Sequence, residues 1–298
     1  MTRLLTLSGA TLGAALILVY TGMMAAADGI TKFIAGGYAA PQLFVLSSAL
    51  VMAFALAGAR SNGQRPGLRI RSKKAMFIRS VLTVIASVAF FQAFRLLPFA
   101  DVFLFIGLIP LIAAALSGPV LGETPRPMAW AALAVGAGGV LFLMPGGLSG
   151  AQAGHAWALL AAVTGCASML AARVIAKVER APLAQVFWPN AALMVAMSLA
   201  LPFVWKPMSL TDMAWVTAYA AALFAARYVV AEALRLLPAY VATPLMNLQF
   251  VWMVAIGFLA FGEVPTLGTW VGVMLVVGSS MWLVLEEHLT RPKVIPAE

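Results

Sequence analysis

Apolar runs of about 20 residues recur along the whole chain, each closed by a short polar or Pro/Gly break. The pattern predicts ten helical spans, at 10–33, 41–58, 76–95, 99–121, 127–145, 154–176, 183–204, 213–235, 239–261 and 266–285. The longest polar stretch, 59–75, is too short for a soluble domain. The end of the chain beyond Glu286 is charged, contains proline and reads as disordered.

Two phrases in this pattern occur twice. Ala93-Phe94-Arg95-Leu96-Leu97-Pro98 returns as Ala233-Leu234-Arg235-Leu236-Leu237-Pro238. Gly122-Glu123-Thr124-Pro125, followed by Trp130, returns as Gly262-Glu263-Val264-Pro265, followed by Trp270. Both recurrences lie 140 residues apart, and Ala93–Trp130 agrees with its copy at 11 of 38 positions without a gap. The chain therefore reads as a duplication. Its expected organisation is a first five-helix repeat at 1–148, a second at 149–287 and a tail at 288–298. Spans three to five then match eight to ten, and one and two match six and seven. Pro41 and Pro182, each opening a span, agree with that register.

Composition changes the environment of these helices rather than their number. Hydrophobic residues make up 63% of the chain and charged residues 10%, which places it in a bilayer. The formal charge of +9 is spread over short gaps between spans, so it reads as membrane orientation and not as a nucleic-acid face. With the N-terminus inside, Lys and Arg divide 15 to 3 between inner and outer segments, the outer three being Lys32, Arg95 and Lys206. Both termini are then cytoplasmic. Because five is odd, the second repeat enters the membrane in the opposite sense. The expected fold is an all-α integral membrane protein of ten transmembrane helices in two inverted five-helix repeats. Arg3, the apolar run to Tyr20 and Ala25-Ala26-Ala27 also resemble a secretory signal. Cleavage there would leave nine spans and break the five-plus-five match, so an uncleaved first helix is preferred.

Candidate chemistry is sparse. The single cysteine Cys166 and the histidines His155 and His288 supply no metal-ligand or haem set, and no cofactor is expected. Phosphate-cradling glycine motifs are absent from the sequence, so ATP is not the direct energy source. Ionisable residues inside spans are costly in hydrocarbon and are therefore candidates for function. Asp28 and Lys32 share a face of the first helix and are placed to neutralise each other. Arg227 and Glu232 lie in span eight, and Gln92 in span three matches Glu232 across the repeat. Arg227 is expected to point inward to an acidic or carbonyl partner, and Asp101 to pair with Arg95. Asn247, Gln249 and Trp252 in span nine, with Phe90, Phe91, Phe103 and Phe105 in spans three and four, suggest an aromatic cavity with a few amide groups. Glu123 with Pro125 and Glu263 with Pro265 precede helices, where a carboxylate meets the positive helix start and proline fits the first turn. Pro110 and Pro244 interrupt their helix ladders.

Ten spans in two halves, the Arg-Leu-Leu-Pro phrases, the Gly-Glu-x-Pro turns and a Gly-rich fifth helix (Gly136, Gly138, Gly139) resemble the EamA branch of the drug/metabolite transporter superfamily. Asp28 and Lys32 resemble the Asp-x-x-x-Lys of members that take up riboflavin or S-adenosylmethionine. Many members carry an arginine in the second helix, where this chain has Leu46-Ser47-Ser48. The resemblance implies a secondary transporter of the inner membrane, working by alternating access on a small organic solute, with a planar heteroaromatic vitamin such as riboflavin as the leading expectation. Amino-acid export and S-adenosylmethionine exchange are the alternatives within the superfamily. A membrane enzyme on lipid-linked substrates is the alternative outside it, although the dense cluster it would need occurs only as Glu286-Glu287-His288. The expected partners are the solute, membrane lipid, a proton as coupling ion and a second copy of the chain.

Overall fold

The computed structural model describes residues 9–61, 68–109, 152–179, 182–236 and 248–290, with Met246 and scattered positions between 111 and 138. Among the described residues there are nine helices and no strand: α1 Gly9–Ala35, α2 Ala40–Ser61, α3 Lys73–Leu96, α4 Phe99–Gly107, α5 Ala153–Val178, α6 Pro182–Val204, α7 Leu210–Leu236, α8 Gln249–Phe261 and α9 Leu267–Thr290. Five stretches, Leu12–Ala35, Ala40–Gly58, Lys73–Leu96, Ala153–Ile175 and Leu183–Val204, are long and apolar enough to cross a membrane. The ten-span expectation is thus met in part. Most of the expected fifth span at 127–145 lies outside the described residues, as do Pro110, Asn247 and the start of the expected ninth span with Pro244. Ala25 and Ala27, read as an alternative cleavage site, are fully buried within α1.

Helix pairs exchange under the repeat. α1 packs on α7 and α5 on α3; α1 packs on α8 and α5 on α4; α2 packs on α7 and α6 on α3. The pairs α2 with α6 and α4 with α8 map onto themselves. This pairing is what two similar units related by a pseudo-twofold axis require.

Side-chain contacts fix the directions. Along α3 and α5, Thr83 meets Ser168 at 2.8 Å, Gly165 faces Phe90, and Gly154 faces Leu97, so these helices run antiparallel. Lys32 at the end of α1 bonds the carbonyl of Leu97 just beyond the end of α3, so α1 and α3 run together. One end of the bundle gathers Lys32, Leu97 and Gly154 with the contacts of Gly37 to Lys206 and Tyr38 to Asp212. At this end hydrogen bonds from Tyr38 and Ser209 hold the Asp212 carboxyl below the usual carboxylate range. The other end gathers the bonds of Trp188 to Leu68 and of Arg71 and Ser72 to Glu179.

The core is apolar and aromatic. Phe94, Phe99, Phe103 and Phe105 of α3 and α4 pack with Phe250 and Met253 of α8, and Phe103 lies 5.0 Å from Phe250. A second cluster joins Phe44 and Phe91 to Ile34, Leu193 and Val216. Outward faces carry large exposed apolar side chains such as Leu199, Phe203 and Leu259, as a lipid-facing surface requires. Helix α6 differs from its counterpart α2 in holding two internal prolines, Pro189 and Pro202.

Two expectations follow. A Cβ at Gly154 would come within 2.6 Å of Leu97, which is 3% exposed and has no room to yield. Gly154→Val should lower stability by about 1–3 kcal/mol through overpacking, read as a reduced melting temperature of the detergent-purified protein. At the opposite end, the backbone N–H groups of Arg71 and Ser72 hold the Glu179 carboxyl below the usual carboxylate range. A depressed folded-state pKa contributes stability that is present above the unfolded value and is lost as pH falls through the folded one. The stability difference between wild type and Glu179→Gln should therefore be present at neutral pH and vanish at strongly acid pH, which a pH series of melting curves tests.

Candidate functional site

The two repeated phrases meet each other across the repeats. Helix α8 ends at Gly262, whose φ of 65° lies in the left-handed region that glycine adopts without strain. The N–H of Gly262 donates to Phe258 and that of Glu263 to Gly257, which folds the chain back and aims the Glu263 carboxylate at α4. Oε2 of Glu263 accepts the N–H of Phe99 at 2.7 Å, and Oε1 pairs with Lys32 Nζ at 2.9 Å. Lys32 Nζ also donates to the Leu97 carbonyl at 2.7 Å and sits 5.5 Å over the Phe261 ring. Beside this junction Thr269 donates to Asp101 at 2.9 Å, tying α9 to α4. The crevice here, lined in part by Pro98, Met253, Glu263 and Pro265, encloses about 40 Å³. That volume suits water rather than an organic solute.

Three expectations are corrected at this point. Lys32 does not neutralise Asp28, because the turn after α8 brings it the Glu263 carboxylate and the end of α3 the Leu97 carbonyl. Asp101 bonds Thr269, while Arg95 is exposed and has no ion pair among the described residues. Glu263 does meet a helix start, as an acid before a helix should, but the start is that of α4 in the other repeat and not that of α9. Glu123 and Pro125, the matching residues of the first repeat, lie outside the described residues.

A polar seam runs between α1, α7 and α8. Asp28 is half-buried and its Oδ2 accepts Gln249 Nε2 at 2.9 Å. Gln249, only 8% exposed, is positioned in turn by Met253 one turn along α8. Tyr219 of α7 is half-buried against the cluster of Ile34, Phe44 and Val216 and lies within electrostatic reach of Asp28. Tyr20, further along α1, lies within reach of both Asp28 and Arg227. Phe33 meets Trp215 and Ile17 packs with Ala233, so α1 and α7 run antiparallel. Among the described residues no cation stands within ion-pair distance of Asp28 and no carboxylate within that distance of Arg227. Arg227, expected to meet an acidic or carbonyl partner, is exposed on one side and pairs with no carboxylate among the described residues.

The remaining expected residues divide clearly. Trp252 is 39% exposed and lays its indole against Gly22 of α1, within 3.6 Å of where a Cβ would stand. Gln92 is half-buried in the last turn but one of α3. Glu232 lies on α7, with its side chain outside the described residues, and Asn247 is likewise outside them. Phe91, Phe103 and Phe105 are 1–2% exposed and Phe90 stacks on Phe94, so these rings are packing residues and do not line an aromatic cavity. Tyr20 and Tyr219 were missed in the sequence because an isolated tyrosine in an apolar helix carries no charge signal. The same holds for Arg79, which reads as an interfacial cation yet reaches Gln185 of α6 at 2.5 Å.

The model of the EamA-like transporter family matches residues 7–144 and again residues 152–285. The chain belongs to this family. The two matches coincide with the two repeats, and the polar seam lies where the EamA-like units face one another. One solved crystal structure of a protein aligns over 95% of this chain and 98% of its own, with a TM-score of 0.61 and 19% identity. At that identity the likeness concerns the fold alone. A comparison with curated proteins gave no match.

The EamA-like junction makes a direct prediction. Glu263→Ala removes the acceptor of the Phe99 N–H and the counter-ion of Lys32 together, and should cost about 1–3 kcal/mol. Glu263→Gln keeps an acceptor and should cost less. Melting curves of the two variants, with Lys32→Met and the double variant completing a cycle, measure the pair.

Proposed function

We propose that this EamA-like transporter is a secondary carrier whose two repeats are inverted and whose solute passes along the seam between α1, α7 and α8 by alternating access. The observation that carries the reading is Asp28: a carboxylate at membrane depth, held by one amide beside two tyrosines, with no described cation to neutralise it. Such a group is costly in hydrocarbon unless a proton, a cation or a hydrogen-bonding solute meets it. Inversion is supported by direction. α1 and α3 run together, while α5 and α7, their counterparts, each run against them. Rocking of one unit against the other would expose the seam to one side at a time, with the Lys32–Glu263 junction closing the end it occupies.

The 15 to 3 division of Lys and Arg supports cytoplasmic termini in a bacterial-type inner membrane. Among solutes, a small molecule with hydrogen-bonding groups fits Asp28, Gln249 and the two tyrosines. A planar vitamin such as riboflavin now rests on Trp252 rather than on an aromatic lining, since the phenylalanines are core. Proton coupling through Asp28 accords with its lack of a counter-ion.

Counterflow of labelled solute in proteoliposomes tests the reading, because a carrier shows trans-stimulation and an enzyme or channel does not. Asp28→Asn should abolish or severely impair transport at near-normal membrane yield, and normal uptake by that variant would remove Asp28 from the path. Tags at both termini should be accessible only from the cytoplasm, and a periplasmic C-terminus would contradict the topology.

A further inference from the structure

We propose that the start of α3 binds an anionic phospholipid, with its headgroup phosphate between Lys73 and Lys74 and an acyl chain laid along the outward face of the helix. The two lysines, with Phe77 and Ile78 one turn further on, line a surface groove of about 380 Å³. The crevice beside Glu263 encloses about 40 Å³, so of these two hollows the one at α3 has room for an organic group.

This face of α3 carries charge at its head and hydrocarbon below. Phe77 is 70% exposed, and Ile78, Val81 and Ile85 are exposed along the same side. Residues 74, 78, 81 and 85 are spaced as neighbours on one face of a helix. From Lys74 to Ile85 the stripe runs eleven residues, about 16 Å at the helical rise. One leaflet of a bilayer offers about 15 Å of hydrocarbon. The stripe therefore matches a single acyl chain lying under a headgroup.

The lysines are open to an anion. Among the described residues neither has a carboxylate within ion-pair distance. Glu179, the acid packed at this end, gives its two carboxylate oxygens to the backbone N–H groups of Arg71 and Ser72. Exposed Arg69 and Arg71 add positive charge just ahead of the helix. A lipid phosphodiester meets that charge and brings in the same molecule the chains that cover Phe77 and Ile78. Free phosphate would leave the apolar side uncovered.

The duplication shows that the fold does not demand this arrangement. At the offset of 140 the same positions on α7 are Met213, Ala214, Thr217 and Ala218, and Asp212 stands where Ser72 does. Those four residues are also exposed. The equivalent face thus reaches the surface at the opposite end of the bundle with an acid at its head and no cation. The lysine groove belongs to one leaflet, the cytoplasmic one under the topology proposed above.

The test titrates the full-length protein in detergent with phosphatidylglycerol and with phosphatidylcholine of the same chains, counting bound lipid by native mass spectrometry. Wild type should take its first anionic lipid about twentyfold more tightly than the zwitterionic one, and Lys73→Gln or Lys74→Gln should each reduce that preference about fivefold. The double variant should lose it. Arg60→Gln with Arg173→Gln removes the same charge from exposed positions at the same end and should keep the preference. Inorganic phosphate should not displace the lipid. If the double lysine variant does not fold, protection of Lys73 and Lys74 from acetylation in wild type, by phosphatidylglycerol and not by phosphatidylcholine, reads the same contact. The proposal is overturned if wild type shows no preference, if the double lysine variant keeps it, if the arginine pair loses it equally, or if inorganic phosphate competes. None of these results bears on the solute path.

Discussion

One ion pair does several jobs at once: Lys32 with Glu263, seated on the helix-start N–H of Phe99 and the carbonyl of Leu97. The Leu97–Phe99 turn leaves a helix end and a helix start open, and these backbone groups must find partners in a region with little water. A carboxylate from one repeat and an ammonium from the first helix supply both. Because Lys32 is committed there, Asp28 one turn earlier has no cation at ion-pair distance among the described residues. The unpaired carboxylate in the seam is thus a consequence of how the end of the bundle is closed.

The phenylalanine core and the polar seam divide the work between helix pairs. α4 and α8 bury Phe103 against Phe250 and form a close-packed apolar contact between repeats, of the kind that resists shear. α1 and α7 face each other with Tyr20, Asp28, Thr31, Tyr219 and Arg227. Polar contacts of this sort tolerate exchange of partners, which a close-packed apolar contact does not.

Much of the fold was readable from residues alone. Apolar runs and the 140-residue echo located the helices and the duplication, since both depend on local composition and register. Partner choice was less readable. Spacing along one helix paired Asp28 with Lys32, because sequence neighbours are the only ones a helical repeat reveals, while the true partner Glu263 lies in the other repeat. Arg79 looked like an interfacial charge for the same reason. The phenylalanines went the other way: their spacing cannot distinguish a ring that lines a hollow from one that fills it.

Helices α2 and α6 sit on the pseudo-twofold axis, yet only α6 contains Pro189 and Pro202. Each proline deletes a backbone rung and crowds the preceding turn, so α6 flexes where α2 stays stiff. The two halves of the bundle therefore do not deform alike, and the difference is written into a single helix.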